Sequence, residues 1–264
     1  MTAAARVGAA ACVLGLACEP SPPPREEPTA SAPTHAEVPS LTIPKRRGDV
    51  TIDGSLDEPA WRAAASTGAF VHAGDGKPRD DGHVQAEAWL SWDDASLYVA
   101  VRVKDRHLRG GFPQNAVDPP LWTRDCVELM IDPDGDGDGR DYYEIEIGPQ
   151  NLVFDSRFDA EREPRGGPDG PFGHQDWRSE IESAVRRAGE LDDDDAADEG
   201  YDVELRLPFA ALAKARHRPP RPGDHWRLNL YALDEGRAVA WSPVLGAGTF
   251  HRASRFGRIR FASP

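Results

Sequence analysis

Residues 120–151 read PLWTRDCVELMIDPDGDGDGRDYYEIEIGPQN, and their patterning decides the fold. Two arms, residues 126–131 and 142–147, flank an Asp/Gly-rich turn. On the first arm Val127, Leu129 and Ile131 alternate with Glu128; on the second, Tyr143, Ile145 and Ile147 alternate with Glu144 and Glu146. A period of two residues sends successive side chains to opposite faces of a strand. The apolar face of this hairpin is expected to enter a core. The other face carries a row of carboxylates beside Trp122, a loop aromatic outside the alternation, and function is expected there.

The same alternation recurs outward along the chain. It marks strands over residues 84–92, 97–103, 201–207 and 226–231, with shorter ones at 152–158, 179–187, near Trp241 and at 257–261. A first strand is expected to end with Val50, Thr51 and Ile52 in a turn at Asp53 and Gly54. A short helix over 55–64 then follows, capped by Ser55 or Asp57, with Pro59 in its first turn and Trp61 as its anchor. A second short helix is expected over 209–214. Residues 159–177 read as a long loop, and 189–200 as an acidic turn exposed to solvent. About ten short strands and two short helices, with no strand–helix–strand repetition, indicate an all-β antiparallel β-sandwich.

Bulk properties narrow the function. The 264 residues carry a formal net charge of -14, and such a surface repels phosphate backbones, so nucleic-acid binding is not expected. Three cysteines, Cys12, Cys18 and Cys126, offer neither a bridge framework nor a zinc spacing. Arg6 followed by VGAAACVLGLA and Cys18 reads as an export signal of the bacterial lipoprotein kind, with Cys18 as the lipidated residue. The apolar run is too short to span a bilayer. Residues 19–40, rich in Pro, Ser, Thr, Ala and Glu, read as an extended tether. The organisation expected is therefore a signal over 1–18, a linker over 19–40 and one domain over 41–264. A monomeric module of the cell envelope is expected, periplasmic or on the outer-membrane surface, touching membrane only through its lipid.

The segments VTIDGSLDEPAW, AEAWLSWDDASLYVAVRVKD, LWTRDCVELMIDPDGDGDGRDYYEIEIGPQN, GYDVELRLPFAAL and the closing FGRIRF together resemble the family 9 carbohydrate-binding modules, part of the wider DOMON-like β-sandwich group. The resemblance spans nearly all of residues 48–261. It implies a non-catalytic domain that holds the end of a sugar chain between two aromatic rings and carries structural calcium. By the same resemblance Trp122 is the first slot aromatic, Phe250 the second, Glu128 an acid that bonds sugar hydroxyls, and Asn229 a polar strand residue of the site. Glu146, on the neighbouring strand of the same face, joins this set. Two departures stand out: the second aromatic is Phe rather than Trp, and Glu144 and Glu146 stand where a basic or amide side chain is implied.

The residue types suit that chemistry. Aromatic rings stack on the apolar C–H faces of sugars, and carboxylates and amides accept from their hydroxyls. The plain alternative for Glu128 is pairing with Arg124, Arg206 or Arg227. Glu128 and Glu146 could also meet the separation of roughly 5–9 Å that glycosidases use, although exposed acids on a hairpin are common. Asp132, Asp134, Asp136, Asp138 and Asp141 alternate with Gly135, Gly137 and Gly139 as in a calcium loop. The twelfth position is Tyr143 rather than the bidentate Glu of an EF-hand, and a metal-free Asp/Gly turn is the alternative. Two rival functions remain: a degenerate surface module that binds a protein, and a haem-binding domain of the DOMON-like kind, for which Met130 is the only internal Met.

Overall fold

The computed structural model describes Met1 and residues 37–79, 83–166, 173–246 and 248–263. Cys18 and most of the 19–40 stretch lie outside the described residues. Among the described residues thirteen strands form two sheets. The first runs in the order β1 (Ser40–Ile43), β13 (Gly257–Phe261), β11 (His225–Asp234), β6 (Cys126–Asp132), β7 (Tyr142–Ile147) and β8 (Val153–Phe158). Past β13, the far half of β11 pairs with β12 (Arg237–Ala240), which pairs in turn with β3 (Val71–His72). The second sheet runs β2 (Ala65–Ala69), β4 (Gln85–Trp92), β5 (Ser96–Lys104), β10 (Gly200–Pro208) and β9 (Glu182–Ala188). Among the described residues the named strands pair antiparallel except β1 with β13. The expected sandwich is the observed one.

The alternating apolar residues meet where the pattern puts them. Ala88, Leu90, Val99, Val101, Val203 and Leu205 of the second sheet pack in one buried cluster with Val127, Leu129, Ile131, Ile145, Leu228 and Leu230 of the first. The hairpin β6–β7 departs from expectation on its other side. Every residue of both strands is buried. Cys126, Met130 and Tyr142 join a second cluster with Phe154, Phe158, Tyr231 and Leu233, closed by Leu121, Val244, Ala253 and Phe256 from the connecting segments. The carboxylate face is thus a covered floor rather than an open surface, because those segments fold across it.

Smaller differences have local causes. Val50, Thr51 and Ile52 form no strand; the backbone N–H groups of Asp53 and Gly54 donate instead to the Glu204 carboxylate at 2.9 and 2.8 Å. The helix is α1 (Pro59–Ala63), with Pro at its start, and neither Ser55 nor Asp57 caps it: the cap position is Glu58, without a side-chain bond. The second helix shrinks to one 3-10 turn, Phe209–Ala211. Trp241 lies just past β12. The strands β1, β2 and β3 lack a clean alternation, so nothing in the pattern marked them.

Glu204 ties the outer face of the second sheet to α1. Besides the two backbone donors it accepts from Trp61 Nε1 at 2.7 Å, in the cluster where Trp61 packs on Tyr98 and Ala100. Charge-assisted bonds to buried donors are among the stronger polar interactions, and orphaning the donors carries its own penalty. Glu204→Ala is expected to lower unfolding stability by about 2–4 kcal/mol. Asp94→Ala, which removes only the exposed pair with Lys45, should leave the denaturation midpoint in place. Urea unfolding of both variants checks this.

Candidate functional site

Strand register builds the site. Across the first sheet Tyr231 of β11 stands opposite Glu128 of β6, Glu128 opposite Glu146 of β7, and Glu146 opposite Phe154 of β8. Directly opposed residues share a sheet face. The result is one cross-sheet row, Tyr231–Glu128–Glu146–Phe154, with two carboxylates between two aromatic rings. Adjacent strands lie about 4.8 Å apart, so the row spans about 14 Å. Loop aromatics stand over its two ends. Phe250 stacks on Tyr231 with ring centroids 4.2 Å apart and planes 15° from parallel, and its carbonyl accepts from the Tyr231 hydroxyl at 3.2 Å. Trp122, in the 3-10 turn Leu121–Thr123, sets its ring against Phe154 edge to face, at 5.2 Å and 76°.

Between these walls lies a pocket of about 370 Å³. Trp122 and Phe250 line it, Glu128, Glu144 and Glu146 form its acidic part, and Leu233 with Gly236, Arg237 and Ala238 makes a further side. Arg162 and His251 complete the lining. Its size falls within the range of small-ligand sites, as does the combination of apolar walls with a few convergent polar groups.

The carboxylates are almost without water or donors. Glu128 is 2 % exposed, Glu146 0 % and Glu144 5 %. Among the described residues, neither oxygen of Glu146 nor Oε1 of Glu128 has a hydrogen-bond partner. The arginines proposed for Glu128 bind elsewhere: Arg124 to Glu235 at 2.7 Å, Arg206 to Glu182 at 2.8 Å, and Arg227 to the Gly135 carbonyl at 3.3 Å. Burial, then the charge of Glu144, raises Glu128 well above the ordinary carboxylate range. Glu146 is raised likewise by burial and by Glu144 and Glu128; the Trp122 backbone amide opposes this without reaching hydrogen-bond geometry. Burial lifts Glu144 to about 8, with Arg162 opposing.

His251 sits at the pocket's edge as a neutral ring. Burial and then Arg162 lower it to about 4. The Tyr142 hydroxyl accepts from the Arg162 backbone N–H at 2.9 Å and lies 3.0 Å from His251 Nδ1. The assignment that satisfies these groups has Tyr142 donating to Nδ1. The ring proton then lies on Nε2, which faces Glu144 Oε1 at 3.8 Å.

Trp122, Glu128, Glu146 and Phe250 are therefore brought together as expected, and Asn229 is not. Asn229 is fully buried one row along the same face, opposite Met130. Its side-chain amide donates to the Ser242 carbonyl and accepts from the Ser242 N–H, both at 2.9 Å, so it holds the chain after β12 instead of lining the pocket. The aspartate turn also divides. One oxygen each of Asp132, Asp134 and Asp136 lies within 4.8 Å of the others. Asp138 is outside this group and accepts from the Arg140 N–H, and Asp141 pairs with Lys214 at 2.7 Å. Gly137 adopts φ +76, and a Cβ there would collide with the Arg227 guanidinium.

The chain matches a known family. The model of the carbohydrate family 9 binding domain-like family covers residues 52–263. The chain belongs to that family. Exoglucanase XynX of Acetivibrio thermocellus is 31% identical over 111 residues, 41% of this chain, and the match spans only 9% of that enzyme's length. A family 9 carbohydrate-binding module from Caldicellulosiruptor kristjanssonii, solved with cellotriose, superposes with TM-score 0.57 at 17% identity, covering 85% of this chain and 94% of the other. The same module with glucose gives 0.55 at 17%, covering 84% and 96%. A candidate carbohydrate-binding protein from Bacteroides uniformis gives 0.63 at 16%, covering 85% and 100%.

Sequence reasoning missed several residues that line this pocket. Glu144 carried a signal, since it shares the face of Glu146 by alternation. His251 follows Phe250 directly. Arg162 and Arg237 come from loop and strand-edge positions that no pattern marks. A separate buried trio, Asp105, Asp125 and Asp234, also escaped notice because its members come from three distant segments.

The buried floor makes a pH prediction. Carboxyls whose folded pKa exceeds the unfolded value of 4.5 keep protons in the native state that unfolding releases. For Glu144 that contribution is present below pH 4.5 and is lost as pH rises through about 8, and Glu146, raised well above the ordinary range by burial, follows the same direction. Glu144→Gln and Glu146→Gln are thus expected to stabilise the free protein at pH 8 by about 1–3 kcal/mol and to change little at pH 5. Thermal unfolding across that window reads both.

Proposed function

We propose that this chain is a non-catalytic carbohydrate-binding module. A sugar stands in the slot with its faces against Trp122 and Phe250 and its polar edge toward Glu128 and Glu146. The observation that carries this reading is the row Tyr231–Glu128–Glu146–Phe154 with a loop aromatic over each end. Support comes from the Caldicellulosiruptor modules of the same family, which were solved with cellotriose and with glucose.

The geometry favours binding over hydrolysis. Glycosidases place two carboxyls on either side of the scissile bond. Here Glu128 and Glu146 rise side by side from one sheet face and meet the same edge of a ligand. A haem reading lacks its second ligand, because Met130 is buried in the aromatic cluster and does not line the pocket with His251.

Two further parts belong to the proposal. Asp132, Asp134 and Asp136 form a set of hard oxygen donors suited to calcium, with the cation relieving the burial and Asp134 repulsion that hold Asp132 at about 8. Its role would be to brace the β6–β7 turn. The chain is also read as exported and lipid-anchored through Cys18, with residues 19–40 holding the domain off the membrane.

A glycan array with and without calcium tests slot and metal together. Intact protein is expected to retain at least one glycan, and Trp122→Ala and Phe250→Ala to weaken that binding at least tenfold, about 1.4 kcal/mol. Retention by neither intact nor variant protein sinks the carbohydrate reading. Calcium at about a hundred times its Kd is expected to add about 2.7 kcal/mol of stability, and Asp134→Asn to abolish the gain.

A further inference from the structure

We propose that the slot selects an amino sugar with a free ammonium group, which Glu128 and Glu146 grip at the floor while the ring stacks between Trp122 and Phe250. This rests on the carbohydrate reading above and names its substrate class.

Three acceptor oxygens, Oε1 of Glu128 and both of Glu146, are buried without a donor among the described residues, and both side chains line the pocket. A hydroxyl brings one proton and no charge. A primary ammonium brings three N–H donors and a positive charge, which matches three orphan acceptors on two adjacent carboxyls. Aromatic walls favour the same ligand, because ring faces attract cations.

The surrounding charges leave room for it. Glu144 already faces a cation, since Arg162 acts on it, and the neutral His251 stands 3.8 Å away. Arg237 is exposed and lies 3.7 Å from Asp234. Besides burial, Glu144 raises both carboxyls and Glu128 also raises Glu146, against the Trp122 amide. Cys126 and Tyr231, the other titratable neighbours, are both raised by burial and stay neutral. Among the described residues no ion pair joins Glu128 or Glu146 to a cation, and the ammonium of the ligand fills that place.

The ammonium also replaces protons. Carboxyls raised by burial bind protons in the empty slot, and each one that pairs with the ammonium gives its proton to solvent. A neutral sugar leaves them bound. An N-acetyl group removes the charge and two of the donors, and adds bulk against the floor.

Calorimetric titration with three β-1,4 oligosaccharides of equal length separates the possibilities: glucosamine, N-acetylglucosamine and glucose oligomers, at about 0.15 M salt to screen attraction to the acidic surface. The glucosamine oligomer is expected to bind at least tenfold tighter than the other two, with proton release seen as a dependence of the enthalpy on buffer. Glu128→Gln and Glu146→Gln should erase the preference and the proton release, and Trp122→Ala should weaken every sugar that binds. Equal or tighter binding of the glucose oligomer overturns the ammonium assignment and leaves the carbohydrate reading standing. Binding of none overturns both. If calcium or manganese alone releases the same protons and Trp122→Ala does not alter it, the pair is a metal site and the ammonium assignment fails.

Discussion

Glu128 and Glu146 face each other across β6 and β7, buried, with three carboxyl oxygens that find no hydrogen-bond donor among the described residues. Like charges directly opposed on a sheet destabilise it even at the surface, and burial multiplies the effect. The rest of this face is arranged around that constraint. Aromatic rings flank the pair on both sides, loop segments cover it, and burial favours the protonated, neutral form of both carboxyls. A fold that stores an unfavourable pair at the centre of its sheet gives up stability at one place, and such places are characteristic of binding sites.

The covered face also explains why a sandwich of this size carries so much irregular chain. A two-sheet core needs only one apolar face per sheet. Here β6 and β7 are buried on both faces, so a second apolar layer, including Met130, Tyr142, Phe158 and Phe256, seals the outside of the first sheet. The segments before β6 and between β12 and β13 supply much of that layer, and they are the same segments that deliver Trp122 and Phe250. Closing the second core and building the slot are one structural event. The tie between Asn229 and Ser242 fixes the start of the later segment, which is why a polar strand residue expected in the site serves instead to position its wall.

What was legible in the sequence follows from the range of each signal. Alternation is local, so β4, β5, β6, β7, β10 and β11 and their inward faces could be read directly, and so could the shared face of Glu128 and Glu146. Family resemblance added the pairing of Trp122 with Phe250, more than a hundred residues apart. Cover is not local: nothing in VELMID or YYEIEI says that the acidic face will be sealed, because the residues that seal it lie far away in the chain. Asn229 was misplaced for the same reason, since alternation gives its face but not which backbone its amide will meet. Short strands without alternation, such as β2 with ASTGA, exist through their pairing partners alone.

Carboxyl-carbon NMR of the glutamate-labelled protein, with Glu128, Glu144 and Glu146 assigned by their Gln variants, tests the central claim most directly. In the free protein these three signals should titrate well above the ordinary carboxylate range, and a saturating sugar that occupies the slot should shift those of Glu128 and Glu146 most. Titration near the usual value of 4.5, or signals that stay in place while a sugar binds, would contradict a buried carboxylate pair as the floor of the binding slot.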